Sequence, residues 1–423
     1  MNISKYLFGF QLLWLSTASI HAQNLQYYQN LAQSQNHRLK AQEASAGAAR
    51  SNFLKESIFK ENPELMLGVM NVPVTTFPAL NRDPMSGFVI GVSQKIALPW
   101  EDHYRKEACR FRAEFEQRDH ELLMVSLAWE VAEKYNALQY TYHRQESLLQ
   151  ARRLMVSNLN IIGRSPRSGK SVVPQVLEAR ANLAVLDNER ISTEYEIEKL
   201  WIELEALCAA KFEHEISGDE KKSWFAEWKA ASLPAVFLIV DNLQYRKLKS
   251  ENDAQTAMLS LSKSSLFPEV RLSAAYAVRQ PIPGLSMGDN MVTVSASTPL
   301  PAFYPLKDTH EINVQSEKLK YSNQLLREAE LQLEAAWRSE KLKMESLQKT
   351  IDNYTNSILP AHSSAHKSHL ATASAQGMGV TEALQAFQML INAEQERLKL
   401  IRDFYSAYYR LQFLSAKGSY YEK

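Results

Sequence analysis

Hydrophobic positions follow two rhythms in this chain: a helical one over long stretches and an every-second-residue one in short stretches between them. From Glu101 to about Ile162 no proline interrupts a helical run, which at about 1.5 Å per residue extends roughly 90 Å. Met124, Leu127, Ala128, Val131, Tyr135 and Leu138 form its apolar stripe, while Glu130, Glu133 and Lys134 fall on the other side. A helix this long with so narrow a stripe needs neighbouring helices along its length. The same feature returns from about Leu306 to Leu370. Ahead of the first run, Leu25 to Lys60 is helix-prone, and Pro63 ends it by removing a donor and disfavouring the preceding helical turn.

The alternating stretches predict strands. In GFVIGVSQKI, Phe88, Ile90 and Val92 share one face and Gly91, Ser93 and Lys95 the other. Later, Val270, Leu272, Ala274, Tyr276 and Val278 oppose Arg271, Ser273 and Arg279, and Val292, Val294 and Ala296 oppose Thr293 and Ser295. One face suits lipid and the other water. The most apolar stretch after Ala22, LPAVFLIV from Leu233 to Val240, is far too short to cross a bilayer as a helix, so membrane entry would be by strands. Two hairpins give four strands, which cannot close a barrel, and lipid forbids the unpaired edges of an open sheet. Several copies must therefore share one barrel.

The two rhythms are written twice. NPELMLGVMNV from Asn62 resembles FPEVRLSAAYAV from Phe267, with Pro63-Glu64 and Pro268-Glu269 standing 205 residues apart. Leu98-Pro99 and Leu300-Pro301 are 202 apart, and VPQVLEA from Val173 and VTEALQA from Val380 are 207 apart. Three matches in one order, drifting only by loop-sized amounts, indicate a duplicated unit of helix, strand, strand and long helix. The chain divides into a first repeat over 23–217, a connector over 218–234 carrying Trp224 and Trp228 on a small amphipathic helix, and a second repeat over 235–423. Residues 1–22 read as an export signal: Lys5, a short apolar run from Tyr6 to Ala18, then Ala22 before a cleavage point. No Cys there marks lipid attachment.

Composition narrows the function. Lys+Arg 48 against Asp+Glu 47 leaves no basic field for nucleic acid. Cys109 and Cys208 are too few and too distant for a disulfide framework, have no His at metal-ligand spacing, and read as buried small residues. GRSPRSGKS, Gly163 to Ser171, resembles a phosphate loop, but the loop requires its first glycine where Arg164 stands. It also follows a very long helix rather than a strand, so it reads as a break between helices and no nucleotide is expected. No G-x-S-x-G, H-E-x-x-H or paired-cysteine site appears, so neither an enzyme nor a cofactor site is expected.

A duplicated helix–strand–strand–helix unit behind an export signal resembles the TolC-like outer-membrane efflux proteins. VSQKIALPWEDHYRKEA, Val92 to Ala108, looks like that family's second strand running through a proline turn into its long helix. GKSVVPQVLEARANL, Gly169 to Leu183, and GMGVTEALQAFQML, Gly377 to Leu390, look like its helix-restart motif in both repeats. The resemblance implies a mainly α fold with a membrane β-barrel part: a homotrimer sharing one twelve-stranded barrel in outer-membrane lipid, four strands per chain, continued by an α-helical coiled-coil tunnel in the periplasm. It implies a passive channel docked on a periplasmic adaptor and an inner-membrane pump; the proline turn looks closest to the heavy-metal and drug efflux branch. A type I secretion duct and a periplasmic coiled-coil adaptor or scaffold are the alternatives, though an adaptor would carry a compact β-rich domain.

The resemblance also implies acidic residues just after the second break, forming a constricted ring at the periplasmic end. Glu382 matches the first such position and Gln385 the second, so one acidic ring is expected at this periplasmic gate, sensitive to salt and pH. The competing reading places Glu382 in a first helical turn, favoured by the macrodipole. His362, His366 and His369 share one helical face but lack a local carboxylate or thiolate, so a solvated surface rather than a metal site is expected. Met85 and Met287, in the two hairpin loops, are too few thioethers to argue for copper.

Overall fold

In the computed structural model the described residues are 24–58, 62–76, 83, 85–96, 98–163, 173–214, 216, 222, 224, 237–264, 269–279, 289–299, 304–376 and 380–416. The expected export signal, Trp228, Met287, Leu300-Pro301 and the glycine-lysine-serine stretch beyond Gly163 lie outside them.

The first repeat forms α1 (Leu25–Gln35), α2 (His37–Glu56), β1 (Glu64–Met70), β2 (Gly87–Ile96), α3 (Pro99–Gly163) and α4 (Val173–Cys208). The second forms α5 (Leu243–Ser264), β3 (Val270–Arg279), β4 (Met291–Ser297), α6 (Tyr304–Asn353), α7 (Leu359–Gln376) and α8 (Val380–Ser415). Pro99 opens α3 where its missing N–H costs nothing, and Glu101 and Asp102 in the first turn favour the positive end of the helix. The single helix expected from Leu25 to Lys60 is broken at Asn36, which leaves the helical region at φ −58° and ψ 125°. The run expected from Leu306 to Leu370 is interrupted by a π-helical turn, Tyr354–Ile358. Pro360 accounts for it: proline lacks an N–H and its ring displaces the carbonyl four residues back, at Asn356, inside the wider turn.

Asn36 does more than break a helix. Its Nδ2 donates to the Leu207 carbonyl at 2.8 Å, near the C-terminus of α4, where carbonyls lack helical partners. At the start of α5, Asn242 donates from Nδ2 to the Leu414 carbonyl of α8, also at 2.8 Å. The two asparagines stand 206 residues apart and the two leucines 207, so the same side-chain clamp closes both repeats. Asn242 also caps α5, its Oδ1 accepting from the Gln244 and Tyr245 N–H groups at 2.9 and 3.1 Å.

The chain divides into two compact units, and each draws on both repeats. One comprises Met1–Asn36, Ser126–Pro234 and Glu340–Phe413. In it Leu127, Val131, Tyr135 and Leu138 of the expected α3 stripe are buried, as is Trp201 of α4, whose Nε1 donates to Tyr142 Oη at 3.1 Å. The opposite side of α3 is tied to further helices: Lys134 reaches Glu203 at 2.6 Å, and Ser406 donates to Glu133 at 2.7 Å. Trp224 is buried here, its Nε1 donating to Asn136 Oδ1 at 3.1 Å while its carbonyl accepts from Tyr405 Oη at 2.9 Å. Cys208 is buried as expected, and burial pushes its thiol up to about 12. Cys109 is only half-buried, a correction to the expected buried pair.

The other unit comprises His37–Val125, Ala235–Ser339 and Leu414–Lys423. It holds one antiparallel sheet in the order β1-β2-β3-β4, the two hairpins joining through β2 and β3. The register stacks Val69, Phe88 and Val278, then Leu67, Ile90, Tyr276 and Val292, on one face. The helices of this unit are joined by Lys247 to Asp119 at 2.6 Å and Asn252 to Asn323 at 2.8 Å.

Replacing either clamp asparagine leaves a helix-terminal carbonyl without its donor. We expect Asn36→Ala to cost about 1 to 2 kcal/mol, and Asn242→Ala about 1 kcal/mol more because it also loses a helix cap. Urea unfolding of the two variants checks the order.

Candidate functional site

Two regions have an arrangement that packing alone does not require: the sheet, and the ends of the helices that restart. On the sheet, the apolar face is exposed; Leu67 is 68% and Val294 75% accessible. The other face carries Glu64, Ser93, Lys95, Arg271, Ser273 and Ser295. There Glu64 accepts from Ser93 at 3.0 Å and from Arg271 at 2.5 Å, Lys95 pairs with Glu269, and Ser273 and Ser295 share a bond of 2.7 Å. Glycines on this face meet close neighbours: a Cβ on Gly91 would lie 3.0 Å from the Ala275 Cβ, and one on Gly87 2.6 Å from the Val278 carbonyl oxygen. A side chain at either position would therefore crowd β3, which is why glycine stands there. Among the described residues, β1 and β4 each have one partner strand.

The restarts converge on one apolar cluster. Leu148, Ala151 and Met155 of α3, Ala179 and Leu186 of α4, Ala373 of α7, and Val380, Ala383, Leu384, Phe387 and Ile391 of α8 form it. The i, i+3, i+4 spacing of Val380, Ala383, Leu384, Phe387 and Ile391 buries one face of α8 and leaves Glu382 and Gln385 exposed on the opposite one. Glu382 lies in the first turn of α8, where the macrodipole favours its charge. The matching turn of α4 has the reverse pair, Gln175 then Glu178, and Glu178 is exposed.

The histidines do not share an exposed face. His366 is 6% accessible, within 5.2 Å of the Phe387 ring, and its Nε2 lies 3.2 Å from Nδ2 of Asn158, itself 3% accessible. His362 is half-buried and His369 exposed. The expectation of a solvated surface is thus corrected for His366: α7 places it toward α3 and α8 because the buried positions Ile351, His366 and Ala373 line one side of the run. Among the described residues no three His, Cys, Asp or Glu side chains are placed to hold a metal ion.

One exposed pattern was not foreseen. On α4, Leu177, Ala181, Ala184, Asn188, Ile191, Tyr195, Glu198 and Ile202 alternate in steps of four and three, and all are exposed, Tyr195 at 71%. This is the spacing of a coiled-coil seam. Its opposite side, with Ala179, Leu186, Ile197 and Leu204, is already buried in the chain. Counting heptads along α4 alone exposes the second seam in the sequence, but only the fold tells which of two apolar sides is covered.

Comparison with protein-family models and with curated protein sequences found no match. Solved structures do match. The CusC structures, described as following folding and transmembrane channel formation, align over 93% of this chain and 92% of theirs, at 14% identity and a TM-score of 0.76. The open-state MtrE outer membrane channel of Neisseria gonorrhoeae aligns over 93% of this chain and 89% of its own, at 13% identity and 0.75. The VceC outer membrane protein of Vibrio cholerae aligns over 93% and 96%, at 13% identity and 0.75. This chain has the TolC-like outer-membrane channel fold. The TolC-like architecture expected from the duplicated pattern is therefore present, helices and sheet together.

Phe387 is fully buried at the centre of the restart cluster. We expect Phe387→Ala to destabilise this region by about 3 to 5 kcal/mol, whereas Glu382→Gln on the exposed side changes stability by no more than about 0.5 kcal/mol. Thermal unfolding of both variants tests the contrast.

Proposed function

We propose that this chain is the outer-membrane channel of a tripartite efflux system, with three copies sharing one barrel and their helices continuing as a tunnel across the periplasm. The observation that carries the reading is the sheet: one face is apolar and exposed, the other polar, and among the described residues each edge strand has a single partner strand. Lipid accepts such a sheet only when its edges are paired, and twelve strands from three copies close it. The TolC-like fold supports the same reading.

The internal duplication supports the helical part of the assembly. Repeats 23–217 and 235–423, joined by 218–234, act as two versions of one unit, related by the matched asparagine clamps. In the second version the α8 residues matching the exposed α4 seam, Leu384 and Ile391, are covered by α3 of the same chain, with Gln395 donating to Ser147 at 3.1 Å. Shifted by 207 residues, that contact becomes Asn188 of α4 against Tyr354, which opens the π-helical turn in the later part of the run that matches α3. The α4 seam is thus assigned to the π-turn and α7 of a neighbouring copy. α7 offers small exposed residues there, Ala361, Ala365, Ser368 and Thr372, which let a helix approach closely.

In this reading Glu382 and Gln385 stand at the periplasmic mouth, three copies of Glu382 making one carboxylate ring that attracts cations. The adaptor and pump deliver substrate and energy. The channel itself is passive, with the wall residues conducting rather than reacting.

Heat-resistant trimers in the outer-membrane fraction are the expected result, and a soluble periplasmic monomer would overturn the reading. The seam assignment predicts that Ala181→Cys combined with Ala361→Cys gives intermolecular disulfide ladders on non-reducing gels, and that Ile191→Glu weakens the trimer. For the mouth, Glu382→Gln should lower cation selectivity in planar bilayers; an unchanged trace removes the ring.

A further inference from the structure

The buried histidine is not used by the channel reading. His366 sits midway along α7, six residues after Pro360 and past a π-helical turn, Tyr354–Ile358, that interrupts regular helix bonding. The turn and proline make a hinge, because both remove regular backbone bonds at one place. Beyond the hinge α7 is held in the restart cluster by Ala373 and by His366, which meets Asn158 of α3 and Phe387 of α8.

We propose that His366 is a proton-operated latch: neutral, it holds α7 in the restart cluster; protonated, it releases α7 about the π-helical turn. With the Asn158 amide donating from Nδ2, the imidazole Nε2 must be the unprotonated acceptor. A proton on Nε2 would face a donor, and turning the amide over would supply only a neutral oxygen. Among the described residues the recorded neighbours of the ring are Asn158 of α3 and Phe387 of α8, and no carboxylate acts on it. Phe387 belongs to the apolar cluster that α3, α4, α7 and α8 share. Glu382 and Glu178 are exposed on other faces, as are Arg152 and Arg153 of α3. On α7 itself the neighbouring charge is Lys367, and His362 and His369 lie nearer solvent.

Burial, and then the Lys367 charge, hold the imidazole below its ordinary range. The sign follows. Released α7 binds the proton more readily than latched α7, so the latch is at full strength above the ordinary histidine value of about 6.5 and weakens as pH falls below it. One proton can raise the opening equilibrium by at most about tenfold per pH unit. The latch itself lies within one chain; its effect on the mouth formed by Glu382 rests on the channel reading.

Hydrogen–deuterium exchange of residues 359–376 in the full-length protein tests it, after correction for the chemical exchange rate at each pH. We expect protection to fall several-fold between pH 7.5 and 5.5 in the natural chain and to stay level in His366→Phe. Asn158→Asp places a carboxylate beside the ring, so its protection should rise over the same interval, a reversal that simple loosening cannot produce. Unchanged protection in the natural chain, an equal acid response in His366→Phe, or no reversal in Asn158→Asp would each overturn the latch. In the channel reading α7 also meets α4 of a neighbouring copy, and the comparison with His366→Phe and Asn158→Asp, which keep the α7 residues of that contact, separates the latch from trimer formation.

Discussion

An unpaired backbone amide or carbonyl has nowhere to go in hydrocarbon, and among the described residues of this protein the sheet has two strands with one partner each. Its exposed apolar face, rich in Leu, Ile, Val and Phe, suits lipid; its other face, crossed by Glu64, Arg271 and Lys95, suits water. In the proposed channel the edges are satisfied from outside the chain, and that sets the demands on everything else. Each copy would then offer its strands at an angle that closes a ring, and the helices that follow would meet their neighbours at the same repeat. At Gly87 and Gly91 the adjoining strand approaches so closely that a Cβ at either would strike it.

The helices meet that demand with parts used twice. Asn36 and Asn242 anchor the beginning of each repeat to the end of its last helix, and each does so through a carbonyl that the helix cannot satisfy itself. The repeats then diverge in what they cover. α8 finds α3 within its own chain, whereas the matching side of α4 remains open. A helix apolar on two sides is best accommodated between two layers, and the proposed assembly supplies the second one.

The restart end puts two kinds of polar residue within a few turns of each other. Glu382 and Gln385 lie on the exposed face of α8, where charge is solvated. His366 and Asn158 lie inside, where a neutral pair is tolerable and a charged one is not. Sequence spacing put His362, His366 and His369 on one helical face and so treated them alike. Packing separated them: His366 meets Asn158 and Phe387 inside, whereas His362 is half-buried and His369 exposed.

Period and punctuation made much of the fold legible: strands at every second residue, long helices at every third or fourth, and proline at the junctions. Pro99 and the VPQVLEA and VTEALQA restarts placed element boundaries to within a few residues, because proline and the start of a helix act locally. Repetition fixed the duplicated plan and, with it, the location of Glu382. Long-range geometry was beyond such reasoning. The break at Asn36 depends on a carbonyl 171 positions away in the chain, and the π-turn on how a helix absorbs Pro360 while keeping its packed face. Likewise α4 has two apolar sides in sequence, and only its tertiary neighbours decide which is already buried. Periodicity is a property of one element; coverage is a property of at least two.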